Sequence, residues 1–388
     1  MPVLSPETIS VYVHWPFCLS KCPYCDFNSH VREKIDETAM ADALLSEIDH
    51  FSQLIGKRRL TSIFFGGGTP SLMSAGTVEA VINRLIKNFT VSDDIEITLE
   101  ANPTSVEAAK FSDFSKAGIN RVSLGIQALN DQDLKALGRE HSAAEAIAAI
   151  EISQKYFKRS NFDLIYARMG QTTAEWEKEL MKAIKMANGH LSLYQLTIEK
   201  GTPFYGRWRQ GELVIPDEDL SAEMYALTNH ICAENNYPAY EISNYARPGE
   251  ESRHNLCYWT YQDYIGVGAG AHGRITVKGE TYATEQNKKP ETWLKSVLSR
   301  GHATKISDPL SRTMMAEEMI MMGLRLTKGI DTKVFEKRIG LALDTFIQKE
   351  RAELLKAQGF LSAENSDLFQ LTEKGRPLLN QILGQILV

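Results

Sequence analysis

Short runs of β-branched and aromatic residues recur along the first half of the chain, and the gaps between them carry apolar positions at three- and four-residue spacing. The runs at Ile9–Val13, Ser62–Phe65, Glu96–Ala101, Arg121–Ile126, Phe162–Tyr166 and Leu191–Leu196 predict six strands. Helical patterns at Ala39–Leu54, Ala75–Asn88, Val106–Ala117, Ala143–Tyr156 and Thr173–Ala187 fill the intervals. Strand-helix alternation predicts an α/β fold: a parallel sheet over residues 1–200, open or curled into a partial, TIM-like (β/α)6 barrel. In either form ligands gather at the C-terminal ends of the strands.

From about Gly201 the alternation stops, and a stretch rich in Tyr, Gly, Asn and Trp runs to about Asn287, which predicts long functional loops with a few strands over residues 201–309. Helical patterns return after Pro309. They end in two apolar runs, within Gly359–Leu371, that flank Glu364–Asp367, so residues 310–388 read as a mainly helical, winged-helix-like domain. Basic and acidic residues balance from Ile330 onward, which favours a packing or lid role over duplex binding.

Composition narrows the class. A 43% hydrophobic content excludes a disordered chain, and 43 Lys+Arg against 49 Asp+Glu leaves no basic field to hold a nucleic acid. Met1 to Ser10 lacks the pattern of a secretory signal, and no run is long and apolar enough to cross a membrane, so a cytoplasmic protein without an integral membrane segment is expected.

The chemistry begins with the cysteines. Cys18, Cys22 and Cys25 follow the first strand in a CxxxCxxC pattern, and Pro16 and Pro23 keep the segment out of helix. Three thiolates in a reducing compartment suit a metal. Zinc would need a fourth ligand, for which His14 and His30 are near in sequence; a [4Fe–4S] cluster on three cysteines leaves one iron open for chemistry. The second strand ends in Gly66, Gly67, Gly68, Thr69 and Pro70, where missing side chains let backbone approach a ligand. Polar residues stand at later strand ends: Glu100 with Asn102, Gln127, Asp163, and Gln195 with Thr197. Each alone could be ordinary capping or inter-strand bonding.

The cysteine loop and the GGGTP segment resemble those of the radical S-adenosylmethionine (SAM) superfamily. That resemblance implies a [4Fe–4S] cluster on Cys18, Cys22 and Cys25, whose open iron binds SAM and whose electron breaks the sulfonium bond to give a 5′-deoxyadenosyl radical. It further implies SAM contacts from Tyr12, Tyr24, Gly67, Gly68, Thr69, Glu100, Gln127, Arg139 and Asp163. The segments LEANP (Leu99–Pro103), SLGIQ (Ser123–Gln127), FDLIY (Phe162–Tyr166) and GVGAGAH (Gly266–His272) are similar to the branch that contains oxygen-independent coproporphyrinogen III oxidase. Two details divide that branch. The oxidase pattern continues to a fourth cysteine where this chain has Phe27, and His254–Trp259 matches the HNxxYW motif of HemW-type haem chaperones.

That match implies haem held by His254, Asn255, Tyr258 and Trp259, with an imidazole for iron and aromatic faces for the macrocycle. Cys257 is a rival ligand. The resemblance also implies haem-accepting clients, an electron donor, and transient membrane contact where a client is membrane-bound. No catalytic residue is assigned. A coproporphyrinogen decarboxylase or another radical SAM enzyme is the alternative. One departure is local: the branch commonly continues DLIYGLPGQT, whereas this chain has Ala167, Arg168 and Met169 in the turn. The methionines Met314, Met315, Met319, Met321 and Met322 read as core, with a haem exit surface as the other possibility.

Overall fold

A computed structural model describes residues 7–387; the reading of residues 1–6 lies outside them. All six expected runs are strands: β1 (Thr8–Trp15), β2 (Arg59–Gly67), β3 (Thr90–Ala101), β4 (Arg121–Gln127), β5 (Arg159–Tyr166) and β6 (His190–Gln195). They pair in that order, each parallel to the one before. Helices α1 (Glu37–Ile55), α2 (Ala75–Asn88), α3 (Ala143–Tyr156) and α4 (Thr173–Met186) return the chain between strands. Their starts are fixed by side-chain caps from Asp36, Ser74, Ser142 and Thr172, the last two in full capping boxes. The helix expected at Val106–Ala117 is broken into Ser105–Ala108 and Phe111–Lys116.

Residues 201–309 depart from the loop expectation. They contain a long helix, α5 (Glu218–Glu234), and a short one, α6 (Arg253–Trp259). Their strands join the main sheet at both sides: β7 (Asn244–Ala246) lies antiparallel to β6, and β8 (Tyr264–Val267) runs parallel to β1 on its free side. Beyond β8 come β9 (His272–Val277), β10 (Glu280–Glu285) and β11 (Lys305–Ile306), all antiparallel. The result is one eleven-stranded sheet, ordered β11-β10-β9-β8-β1-β2-β3-β4-β5-β6-β7, whose edge strands do not pair among the described residues. It is a partial barrel.

Alternation along the strands separates two buried faces. Val11, Val13, Ile63, Phe65, Ile97, Leu99, Val122, Leu124, Leu164, Leu191 and Leu193 form one core with the helices. The opposite residues are polar: Ser10, Ser62, Glu96, Thr98, Arg121, Ser123, Asn161, His190 and Ser192. Parallel strands covered on both faces normally read as continuous apolar runs, and burying polar groups is costly unless they are paired. Here they pair: Asn161 Nδ2 donates to Ser123 Oγ (2.7 Å) and Ser192 Oγ (2.9 Å), and Ser192 Oγ donates to Asn244 Oδ1 (2.8 Å). The inner face is a polar lumen.

A second core gathers Tyr261 with residues from Ala316 to Ile386. Helix α7 (Arg312–Gly323) carries it against the barrel, where Glu318 pairs with Arg274, Arg325 with Glu241, and Arg338 with the Asp263 carboxylate that also takes Arg58. Ile330–Asp331 pairs with Leu368–Phe369, and Leu361 bridges Leu371, giving the small wing after two helices. Met319 lies in this core and Met315 packs against it, whereas Met314 and Met321 face solvent. Among the described residues no helix is long and apolar enough to cross a membrane.

Candidate functional site

The strands' C-terminal ends open into a cleft of about 150 Å³, lined by Cys18, Cys22, Cys25, Glu100, Arg139 and Asp163 among others. Directly after β1 the chain forms the cysteine loop, closed at its base where Phe17–Cys18 pairs in parallel with His30–Val31. His14 holds the loop from below. Its Nε2–H donates to the Asn28 carbonyl (2.9 Å), which leaves Nδ1 to accept from the Tyr12 hydroxyl (3.1 Å). Asn28 in turn donates from Nδ2 to the Ala269 and Lys288 carbonyls (3.0 Å each). Gly270, at φ +85°, is required there because a Cβ would stand 2.1 Å from Asn28 Nδ2. On the far side of the GVGAGAH turn, the buried Glu47 of α1 accepts from Gly268 N–H and Ala303 N–H (2.9 Å each). Asn28 and Glu47 were not singled out from sequence, although a Glu inside the apolar stripe Ala43, Leu44, Ile48, Phe51 was a readable signal.

The three cysteines are half-buried. Burial pushes the Cys18 and Cys25 thiols up, which keeps them protonated until a cation draws the proton off. His14 is occupied at both ring nitrogens and so is not free to complete a zinc set, whereas His30 donates from Nε2 to Asn28 Oδ1 (3.3 Å). Among the described residues no three His, Cys, Asp or Glu side chains converge on one single-ion position. The glycines also have a packing role. A Cβ on Gly68 would stand 2.5 Å from the Phe17 carbonyl, and one on Gly67, at φ +116°, 2.7 Å from His14 Cε1, so both are needed by packing against the loop rather than by close approach of a ligand alone.

Across the cleft lie two carboxylates that make no ion pair among the described residues, although the Arg121 charge reaches both. Burial, and then Asp163, push the Glu100 carboxyl up to about 8; Glu100 Oε2 accepts only weakly from Gly67 N–H (3.3 Å). Burial likewise raises Asp163 to about 6, against hydrogen bonds from Asn161 (2.9 Å) and Ser123 (3.4 Å) and the Arg121 charge. Arg139 donates to Cys22 Sγ (3.1 Å), Asn102 Oδ1 (2.7 Å) and the Gly125 carbonyl (2.9 Å), while its Nε is buried without a partner. Tyr24 packs on Phe204 at the rim. Gln127 ends β4 at φ +73°, a strained conformation for a residue with a side chain, and such strain concentrates at functional sites. A ligand with an ammonium and a sulfonium for the carboxylates and a carboxylate for Arg139 fits these unmet groups. SAM has all three.

The HNxxYW segment lies elsewhere. It forms α6, which enters the lumen from the opposite, N-terminal end of the strands. His254 is 1% exposed. Ser62 Oγ donates to Ser10 Oγ (2.8 Å) and so accepts from His254 Nδ1–H (2.8 Å); His254 Nε2 then accepts from the Tyr258 hydroxyl (2.7 Å). Burial lowers the imidazole to about 3, so it is neutral, and the lone pair that would bind iron is held by Tyr258. Trp259 stacks under the Arg325 guanidinium (4.4 Å), and Asn255 is half-buried. Cys257 is buried, its thiol pushed up to about 12 by burial, which disfavours the thiolate. His254 and the cysteines are thus at opposite ends of one lumen, joined through Phe64 and Tyr12.

A family profile described as the radical SAM superfamily matches residues 12–184, and one described as the HemN C-terminal domain matches residues 310–378. Fold and cleft together define a radical SAM protein. The chain is 38% identical to heme chaperone HemW of Haemophilus influenzae, over 99% of this chain and 98% of that one, and 36% identical to the Escherichia coli protein of the same name, over 97% of each. It is also 38% identical to radical S-adenosyl methionine domain-containing protein 1, mitochondrial, of Bos taurus, over 100% of this chain and 89% of the other. The chain belongs to the HemW family of that superfamily. In fold it matches coproporphyrinogen III oxidase (HemN) of Escherichia coli, with a TM-score of 0.81 at 23% identity over 98% of this chain and 90% of the other.

Proposed function

We propose that this protein is a haem chaperone: it binds haem, holds a SAM-ligated [4Fe–4S] cluster, and delivers haem to client proteins. The observation that carries the reading is full-length similarity to proteins named heme chaperone HemW, with HNxxYW at His254–Trp259. Phe27 supports it, since the position where the oxidase pattern has a fourth cysteine here carries an apolar side chain 61% exposed.

In this reading Cys18, Cys22 and Cys25 hold the cluster. Tyr24, Gly67, Gly68, Thr69, Gln127, Arg139 and the carboxylates Glu100 and Asp163 surround SAM, with Tyr12 beneath. When bound, the pair supplies one-electron cleavage of a sulfonium. The chain's own part is to neutralise the ligand's cationic groups with Glu100 and Asp163, to meet its carboxylate with Arg139, and to exclude water. His254 offers Nε2 to haem iron only after Tyr258 releases it, so haem loading requires α6 to shift from its seat. Tyr258 and Trp259 would then face the macrocycle, with Asn255 beside it.

The test is anaerobic reconstitution of the cluster, addition of haem, and parallel assay with coproporphyrinogen III. The expected result is a Soret band that His254→Ala weakens and shifts more than Tyr258→Ala, that Cys257→Ala leaves nearly unchanged, and that comes with no sustained decarboxylation. Conversion of coproporphyrinogen III to protoporphyrinogen IX over many turnovers would replace this reading by the oxidase. Loss of the Soret band in Cys257→Ala alone would move the ligand to the thiolate.

A further inference from the structure

Two of the three cluster sulfurs are met by side-chain donors that belong to one hydrogen-bond chain, and its middle member is Asn102. On one side Arg139 Nη2 donates to Asn102 Oδ1 (2.7 Å) while Nη1 of the same guanidinium donates to Cys22 Sγ (3.1 Å). On the other, Asn102 Nδ2 donates to Thr69 Oγ1 (3.3 Å), whose hydroxyl donates to Cys18 Sγ (3.6 Å). An amide suits this position, because its separate oxygen and nitrogen offer an acceptor to the guanidinium and a donor to the hydroxyl at once.

The chain is fixed at its middle by Glu107 and at both ends against the cysteine loop itself. Asn102 N–H donates to Glu107 Oε2 (2.8 Å), a buried carboxylate that also takes a short bond from Ser71 Oγ. Thr69 N–H donates to the Phe17 carbonyl (2.8 Å). Gly138, just before Arg139, lies so close to Pro23 that a Cβ would stand 2.6 Å from its ring, which brings the guanidinium onto the loop between Cys22 and Cys25. Two strand ends, at Thr69 and Asn102, and the turn after the helix Asp131–Ala136, at Arg139, therefore converge on two sulfurs.

We propose that Asn102 is a positioning residue for the cluster: it clasps Arg139 against Cys22 and Thr69 against Cys18, and so sets the hydrogen bonding, and with it the reduction potential, of two of the three ligands. This rests on the reading that the three cysteines hold the cluster. Hydrogen bonds to ligand sulfur favour the reduced, more negative cluster and raise its potential, and residues behind metal ligands hold their geometry. The clasp uses both terminal nitrogens of Arg139, and its Nε is buried without a partner.

The test uses the full chain with its cluster reconstituted, and compares wild type, Asn102→Leu, Thr69→Val and the double variant. All four keep the three cysteines, so iron content should match wild type. Asn102→Leu should shift the midpoint potential to more negative values and speed iron loss to a chelator several-fold. Thr69→Val should give part of both changes. The double variant should equal Asn102→Leu alone, because the hydroxyl arm is already lost there. Unchanged potential and chelator kinetics in folded, iron-replete Asn102→Leu would overturn the proposal, as would full additivity in the double variant. Should Asn102→Leu fail to fold, Thr69→Val decides: a potential and release rate equal to wild type overturn the clasp. A wild type that takes up no iron, or a Cys22→Ala protein that keeps it all, fails the cluster reading instead.

Discussion

The two ends of the barrel lumen are built on opposite principles. At the C-terminal mouth, groups are brought together and left partly unmet: Glu100 and Asp163 without an ion pair among the described residues, Arg139 Nε without an acceptor, Gln127 held in a strained backbone, and Leu19 and Phe27 exposed beside the cysteines. At the N-terminal end the groups around His254 and Glu96 are met, and Trp259 Nε1 is the exception, buried without a partner. Both nitrogens of His254 are bonded, and Glu96 takes Arg159 Nη1 (2.6 Å), the N–H groups of Arg253 and His254, and Ser252 Oγ. One end is arranged for a ligand it must acquire, and the other is a closed plug that must open if its histidine is to meet haem.

The largest expected effect is at the plug. Burial alone would push the Glu96 carboxyl up, yet Arg121, Arg159 and the α6 N–H groups hold it below the usual range, so the fold depends on its charge. Glu96→Ala leaves the buried Arg121 guanidinium without its ion pair and the start of α6 without its acceptor, while Arg159 keeps Glu250. Breaking such a pair costs about 3–5 kcal/mol. Urea unfolding should show that loss, while iron uptake at low temperature persists because the thiols are remote. A loss below about 1 kcal/mol would mean that the plug is not held by this carboxylate.

Next in size is the pH response of the mouth. Glu100 and Asp163 are raised in the fold, so the stability linked to them is full below the ordinary value of 4.5 or 3.8 and is lost as pH rises through about 6 and about 8. A cationic ligand reverses that loss. SAM affinity for the cluster-loaded protein should therefore increase between pH 6 and pH 8, by at most about tenfold per unit, and flatten above. A flat profile by calorimetry would separate the carboxylate pair from the ligand.

The plug has the opposite sign. His254 is lowered to about 3, so its contribution is present above 6.5 and is lost as pH falls toward 3. Wild-type stability should drop by up to about 1.4 kcal/mol per pH unit below 6.5 on account of this ring. His254→Asn should show a shallower slope by that amount. An identical slope in the two proteins would mean that the ring is already solvated, and the plug already open, in solution.

The strands and the mouth were legible in sequence because their signals are local: a β-branched run ends, and chemistry-bearing residues stand at its C-terminal end. Cys18, Cys22, Cys25, Glu100, Arg139 and Asp163 do line one cleft. The seat of α6 was not legible. Its partners Ser62 and Glu96 lie more than 150 residues away, and nothing in HNxxYW says which end of a barrel it enters. Helix α5 was missed because Tyr, Thr, Asn and Cys within Glu218–Glu234 are weak helix formers, although Pro216 and the Asp217 cap mark its start. Asn102 was visible at a strand end, but its role depends on three loops meeting.

The smallest effect separates strain kept for function from strain left by sequence drift. Ala167 stands at φ +53° and Gln127 at φ +73°, both in the left-handed region that costs an L-residue about 1–2 kcal/mol. At 167 the related branch commonly has glycine, and here Arg168 follows, buried and bonded to Asp133 Oδ2 (2.5 Å), Glu179 Oε2 (2.6 Å) and the Ile165 carbonyl (2.6 Å), which holds the turn in place. Ala167→Gly relieves the strain but gives the unfolded chain more freedom, worth about 0.5–1 kcal/mol, so the net gain should fall between about 0 and 1 kcal/mol with SAM affinity unchanged. Gln127→Gly relieves the same kind of strain at the cleft and removes a side chain that lines it. It should leave stability equal or slightly raised and weaken SAM binding. If binding by the folded Gln127→Gly protein matches wild type, the strain at position 127 belongs to the scaffold, as at 167, and the mouth loses one of the features that set it apart from the plug.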